Sequence, residues 1–366
     1  MKILYYFTDY QIPMYQWQHI HIIDELKRHN VYIHIFNPLD YDNKDIASEE
    51  LLKYIKSNRI DLFMTPHNEE KLEIDVLRQI KDYGIPTLLI CFDNLIVPFT
   101  HYKIAPYFDL VWLTSQETEE LFTKRGCNTI FLPYAANPFL LRGEETIEGV
   151  GFVGTPYGSR ANMINTLQMN KVPVYCHYLK EKNSSSQISI PERTISKLEV
   201  IIKFLQFEQG RKIIEGAVVN KFRKTATLFE TEYLHKEMVV PPEKLYQVYS
   251  RYALALSSTA ARNTGVLRQP LDIVNLRSFE IPMAGGLQIC RYTDEMASYF
   301  EEDKEILFYR NNSELIDKVQ YYCSSQRKNE REQMRQAARK RAIENHTWFC
   351  RFRKVFETFN LRVDKL

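Results

Sequence analysis

Glycine is scarce, 12 in 366 residues, and none lies in Thr8–Tyr15, where the chain leaves its first apolar run. A dinucleotide-binding fold needs G-x-G-x-x-G at that turn, so that backbone can approach a pyrophosphate. Its absence argues against a dehydrogenase. The six cysteines, at 91, 127, 176, 290, 323 and 350, form no C-x-x-C pair. Several sit inside apolar runs, so they read as reduced and buried, with no zinc site. Charge of one sign is also missing: 48 Lys and Arg against 46 Asp and Glu leave a net +2, which gives no global case for nucleic acid binding. No run approaches the length of a membrane-spanning helix. The opening MKILYYFTDY reads as a strand, without a signal-peptide core and cleavage site. The expectation is a cytoplasmic protein, in which Asn345-His346-Thr347 has no glycosylation meaning. There is no internal repeat or low-complexity tract, and no local Ser-His-Asp or Cys-His pattern.

What is present suits two domains, since 366 residues are long for one core. Apolar runs read as strands at 2–7, 31–36, 60–64, 87–92, 110–114 and 129–132, with helices at 14–29, 49–57, 70–82 and 116–124 between them. This alternation predicts a parallel sheet with helices on both faces. The polar stretch RGEETIEG at 142–149 reads as a linker. The design then restarts, with strands at 150–154, 172–176, 252–257 and 306–308. Helices are expected at 161–170, 313–322 and 328–345, and helical, charge-mixed sequence from about 192 to 230. The expected domains are 1–141, 150–346 and a final helix over 347–366. Trp348, Phe352 and Phe356, at helical spacing, dock that helix either on the first domain or in the core of the second.

The richest stretch is Asp272–Ile289, DIVNLRSFEIPMAGGLQI. Asp272 is placed near a helix start, where a negative charge is favoured. Leu276, Phe279 and Met283 share one face, Glu280 lies at its polar edge, and Gly285 or Gly286 ends the helix. Read plainly, this is an amphipathic helix with a surface Arg277–Glu280 pair. A second candidate is Gly154-Thr155-Pro156-Tyr157-Gly158-Ser159-Arg160, where small residues and a following helix admit a phosphate and Arg160 adds a cation; the alternative is a tight turn with Arg160 solvated. A third, SSTAARNTGVLRQP, carries Arg262 and Arg268 in a hydroxyl- and amide-rich loop suited to sugar hydroxyls and phosphates, or merely mobile. Arg277 reaches the same anion or pairs with Glu280.

An acid, seven residues, a Glu, then a small-residue turn and a strand resembles the donor-sugar motif of retaining group 1 glycosyltransferases of GT-B architecture. The string NLRSFEIPMAGG is closest to their spore-protein-like group. The resemblance covers about the last 120 residues well and the N-terminal half only in layout. It implies an α/β fold of two Rossmann-like domains facing across a cleft. It also implies a nucleotide-diphosphate sugar as donor substrate, with no cofactor and no metal. Glu280 then accepts hydrogen bonds from the ribose and Asp272, here in place of the usual Glu, lies by the sugar. Gly154, Thr155 and Arg160 face the diphosphate, with Arg268 and Arg277 as further cations. The segment 237–249 lies near the base. The acceptor, a glycan, lipid-linked molecule or protein, falls to the first domain, as in cell-surface polysaccharide synthesis.

In that domain Asp9 and Tyr10 follow the first strand. Asp93, ending TLLICFD, orients an acceptor hydroxyl or serves as base if the reaction inverts; each Asp has a turn or capping alternative. His67 reads as structural. Between Arg327 and Lys354 ten Lys or Arg face three Glu, a solvated helix face or a surface for anionic lipid. A nucleotide-sugar epimerase and a non-catalytic nucleotide-sugar or membrane-surface binding protein stand as alternatives.

Overall fold

Runs such as Thr87–Cys91 (TLLIC) and Leu110–Leu113 (LVWL) carry no polar alternation. A strand reads this way when both of its faces are covered, as in a parallel sheet. The computed structural model describes residues 1–10, 13–156, 158–178, 197–222 and 228–363. It divides into Met1–Phe139 with Asn345–Leu366, and Leu140–Glu344.

The first unit holds six parallel strands: β1 Lys2–Tyr6, β2 Tyr32–Phe36, β3 Leu62–Thr65, β4 Thr87–Cys91, β5 Leu110–Leu113 and β6 Thr129–Phe131. Their order is β2-β1-β3-β4-β5-β6. Leu4, Phe63, Leu89 and Val111 from the sheet meet Leu51, Leu77 and Ile80 from the helices in one core. The predicted helix over 14–29 is continuous but changes pitch, with a π segment at His19–Ile23 between Pro13–Gln18 and Asp24–Arg28. The helix Trp348–Thr358 belongs to this unit. Trp348, Phe352 and Phe356 are buried, the first two with ring centroids 6.0 and 5.1 Å from that of Trp112. Glu25 caps the helix, accepting from the N–H of Trp348 (3.0 Å) and of Phe349 (2.8 Å). Burial raises the Glu25 pKa to about 7, although these two bonds, Thr347 and the charge of Arg351 pull it down.

The second unit holds β7 Ile147–Val153, β8 Val174–His177, β9 Leu234–Glu237, β10 Tyr252–Leu256, β11 Gln288–Arg291 and β12 Leu307–Tyr309, again all parallel, in the order β12-β11-β10-β7-β8-β9. β9 was not expected: LHKE is short and polar, as an edge strand tolerates. The supposed linker is also structured. β7 starts at Ile147, and Glu145 is a half-buried anchor, accepting from Arg331 Nε at 3.0 Å and lying 3.1 Å from Arg335 Nη2. Arg331 also donates to the carbonyls of Tyr322 and Ser324, Arg335 to those of Ser250 and Ala253. The basic tail is thus no simple solvated face: Arg331, Arg335 and Arg351 are buried. Among the described residues no helix is long and apolar enough to cross a membrane. The cysteines are free, and four of the six are buried.

Candidate functional site

In the second sheet the winding reverses between β7 and β10. Open α/β sheets bind ligands outside the carboxyl ends of the strands at such a reversal. β7 runs out at Gly154, whose φ of +125° disfavours L side chains. Its N–H donates to the carbonyl of His177 (3.0 Å). The guanidinium of Arg277 lies against this glycine; a Cβ there would sit 3.4 Å from Nη1. That Nη1 is buried and has no hydrogen-bond partner among the described residues. A buried donor left unmade costs about 1–3 kcal/mol, and arginine cannot escape by losing its proton. The arrangement suits an anion.

Beside it, Gly158 (φ +56°) leads into the helix Ser159–Met169, whose start has no side-chain cap and no acid in its first turn. Its first N–H groups and dipole therefore favour negative charge. Thr155 is exposed, and Arg160 folds back, Nη1 lying 3.5 Å from the Thr155 carbonyl. Tyr157 lies outside the described residues, as does the predicted loop at 180–190.

The unit around Glu280 differs from expectation. The helix runs only over Arg277–Met283. The Oδ1 of Asn275, not Asp272, accepts from the Arg277 N–H (3.1 Å), while Nδ2 of Asn275 donates to the Ser258 carbonyl (3.2 Å). β-branched Ile273 and Val274 after Pro270 favour extended backbone, and Asp272 bridges Ala260 antiparallel. Its carboxylate accepts from Thr259 Oγ1 (2.9 Å) and pairs with Arg291. Glu280 is buried rather than at a polar edge. Its Oε2 accepts from the Tyr249 hydroxyl (3.1 Å); burial first, then the Glu280 charge, hold the Tyr249 pKa well above the usual range. The helix ends at Gly285 (φ +80°) as anticipated, with Gly286 N–H donating to the Ile281 carbonyl.

A cavity of about 230 Å³ opens here, lined by Ser159, Asn162, Thr259, Gly265, Arg291 and Asn312 among others. Arg268 is exposed and does not line it; the side chain of Arg262 lies outside the described residues. Arg291, Thr259 and Tyr249 were missed as individual residues. Arg291, ending the strand after the diglycine, was the one legible from its place. Among the described residues no group of three or more His, Cys, Asp or Glu stands together to hold a metal ion.

Asp93 lies in the first unit, after β4, at a left-handed φ of +52°. The residue keeps solvent exposure, yet protein crowding desolvates its carboxylate and raises its pKa, opposed by a bond from the Tyr134 hydroxyl (3.0 Å). Asp9 lies 2.8 Å from His19 Nε2; residues 11 and 12 of the same loop lie outside the described residues. His67 Nε2 accepts from the Thr8 N–H (2.8 Å) and burial lowers its pKa to about 3, a structural role.

Two Rossmann-like units in one chain define the GT-B fold, and solved structures share it. HepE of Anabaena, solved with UDP and glucose, superposes with TM-score 0.59 at 11% identity, over 98% of this chain and 99% of its own. An alpha-glucosyltransferase solved with UDP-glucose and DNA containing an abasic site gives 0.62 at 9% identity, over 98% and 99%. The sucrose-phosphate synthase of Thermosynechococcus elongatus gives 0.55 at 10%, over 98% and 100%. At such identity the shared property is the fold. A family model described as "Glycosyl transferase-like" matches residues 212–357, a stretch containing Asp272, Arg277, Glu280 and Arg291. No curated protein sequence matches the chain.

Proposed function

We propose that this protein is a glycosyltransferase that takes a nucleotide-diphosphate sugar on its second unit and passes the sugar to a glycan, lipid-linked or protein acceptor. One observation carries the reading: the buried, unpartnered Arg277 Nη1 laid against Gly154 at the reversal point of the sheet. A diphosphate supplies the missing acceptor. Arg277 and the uncapped start of Ser159–Met169 then stabilise the charge that grows on the departing nucleoside diphosphate. Glu280 serves the ribose by sharing or exchanging its bond with Tyr249, and Asp272 lies by the sugar. The first unit takes the acceptor, with Asp93 as the group that orients its hydroxyl. Retention of configuration, a hexosyl donor and synthesis of cell-surface polysaccharide on the cytoplasmic side belong to this proposal through the motif at Asp272–Glu280. Uridine is the first nucleoside to try, because HepE was solved with UDP and the alpha-glucosyltransferase with UDP-glucose.

A second reading draws on the same site. Asp272 is already neutralised by Arg291, which fits a protein that binds the nucleotide sugar without turnover. Thermal shifts with nucleoside diphosphates and their sugars test the site, because a ligand of the folded state stabilises by mass action. Product analysis with acceptor glycans then separates transfer from binding. Absence of any shift across the panel would remove both readings.

A further inference from the structure

The cavity beside Asp272 bears on which sugar is carried. It holds about 230 Å³, below the roughly 300–1,000 Å³ of pockets that enclose drug-sized ligands. It therefore has room for a single pyranose ring, with the rest of a nucleotide sugar lying outside it. Its polar wall is made of hydroxyls and amides, Ser159, Asn162, Ser258, Thr259 and Asn312, with apolar patches at Met163 and Pro270. Such neutral groups read sugar hydroxyls, each being able to donate or accept.

Charge in the wall is already spoken for. Among the described residues Arg291 is the one ionic side chain lining the cavity, and it pairs with Asp272, whose other oxygen takes the Thr259 hydroxyl. Two helices start here. The helix Asn312–Tyr322 is closed by its own residues: Asn311 Oδ1 accepts from the Glu314 N–H (3.0 Å) and Glu314 Oε2 from the Arg310 N–H (2.7 Å), so its positive end is satisfied. The start of Ser159–Met169 is open, but on the proposed function it receives the diphosphate. A carboxylate on the sugar would have to draw Arg291 from Asp272, leaving that acid partly buried and without its cation, an exchange that gains nothing.

We infer that the cavity holds the transferred sugar and selects a neutral hexose or N-acetylhexosamine against a uronic acid, with the Asp272–Arg291 pair as the specificity device. The inference rests on the donor reading given above. The two fail differently in one experiment, calorimetric titration of the full chain with UDP, UDP-glucose and UDP-glucuronate, and with the matching guanosine set. The expected result is at least tenfold tighter binding of the neutral conjugate than of the uronate. Asp272→Asn, which frees Arg291 to take a carboxylate, is expected to remove most of this preference, whereas Arg291→Gln, which leaves Asp272 without its cation, keeps it and weakens the sugar conjugate more than the bare diphosphate. Arg291→Lys, which keeps the cation, retains the preference and guards against a variant that fails to fold. A uronate conjugate bound as tightly as the neutral one overturns the inference alone. So does an Arg291→Gln variant that loses bare diphosphate as strongly as its sugar conjugate, since Arg291 would then be a phosphate ligand. If no nucleoside diphosphate binds at all, the donor reading falls and the inference with it.

Discussion

At the carboxyl ends of the first sheet two acids have found partners within their own unit; at those of the second a guanidinium nitrogen has none among the described residues. Asp9 has His19 and Asp93 has Tyr134. Across the reversal of the second sheet, Arg277 Nη1 and Arg335 Nε both keep a buried N–H without an acceptor among the described residues, but Arg335, like Arg331, has its charge matched by Glu145 and its Nη groups by carbonyls, and Arg277 has no such carboxylate among the ion pairs of the described residues. The same unit therefore shows what a structural arginine looks like and, by contrast, what Arg277 is not. Unpaired buried charge persists where a ligand completes it. On the proposed function the cationic end takes the diphosphate and the acidic end faces the hydroxyl-bearing acceptor.

The largest effect is expected where the contrast is purely structural. Glu145→Ala leaves Arg331 and Arg335 buried without their carboxylate, which typically costs about 3–5 kcal/mol. Denaturant unfolding should show the second unit losing stability, and an unchanged midpoint would mean the two arginines are held by carbonyls alone. Next comes the acid of the first unit. Glu25 goes from an ordinary 4.5 to about 7 in the folded protein, so the folded state binds its proton more tightly. Its contribution is complete below about pH 4.5 and is lost as the pH rises through 7, on the order of 3 kcal/mol at 1.36 kcal/mol per pKa unit. Stability measured at pH 5 and pH 8 should differ more in the parent than in Glu25→Gln; equal differences would show that Glu25 does not titrate in this range.

Arg277 should behave as the inverse of Glu145. Arg277→Gln removes a donor left unmade at Nη1, so the melting temperature should hold or rise, a trade of stability against function. Affinity for the nucleoside diphosphate should fall roughly ten- to hundredfold, as for loss of a charged hydrogen bond worth about 1.5–3 kcal/mol. A variant that loses stability but keeps its ligand would place Arg277 with Arg331 and Arg335. Gly154→Ala tests the same spot from the other side. At φ +125° a Cβ is strained by about 1–3 kcal/mol, and its approach to Nη1 at 3.4 Å should also weaken diphosphate binding.

Much of this plan was legible in the sequence. Unbroken apolar runs fixed 11 of the 12 strands to within a few residues, because a doubly covered strand leaves an unmistakable pattern. The edge strand β9 escaped because LHKE is polar on a face that needs no cover. Glu280 was singled out through the resemblance, while the plain reading set it at a polar edge paired with Arg277, and it is instead buried against Tyr249. The ion pair of Asp272 was not legible, since its partner Arg291 lies 19 positions away on the next strand, and no local pattern reports a contact made by parallel strand order. Glu145 was taken for linker because RGEETIEG is polar, and its arginines arrive from 186 residues downstream.

The smallest effect concerns Tyr134. Its hydroxyl donates to Asp93 (3.0 Å), and this bond favours the ionised acid against the desolvation that raises its pKa. Tyr134→Phe deletes a hydrogen bond whose net worth is about 0.5–1.5 kcal/mol, so the loss of stability should be slight. The pH profile is the sharper probe. If the carboxylate of Asp93 orients the acceptor, transfer declines as the pH falls through the folded pKa of Asp93. Without Tyr134 that pKa lies higher, so the acid limb should move to higher pH while the rate above it is unchanged. A limb that stays in place would mean that Asp93, strained at a left-handed turn and capped by Tyr134, only shapes the end of β4, and that the acidic end of the first sheet is closed for structural reasons rather than for acceptor binding.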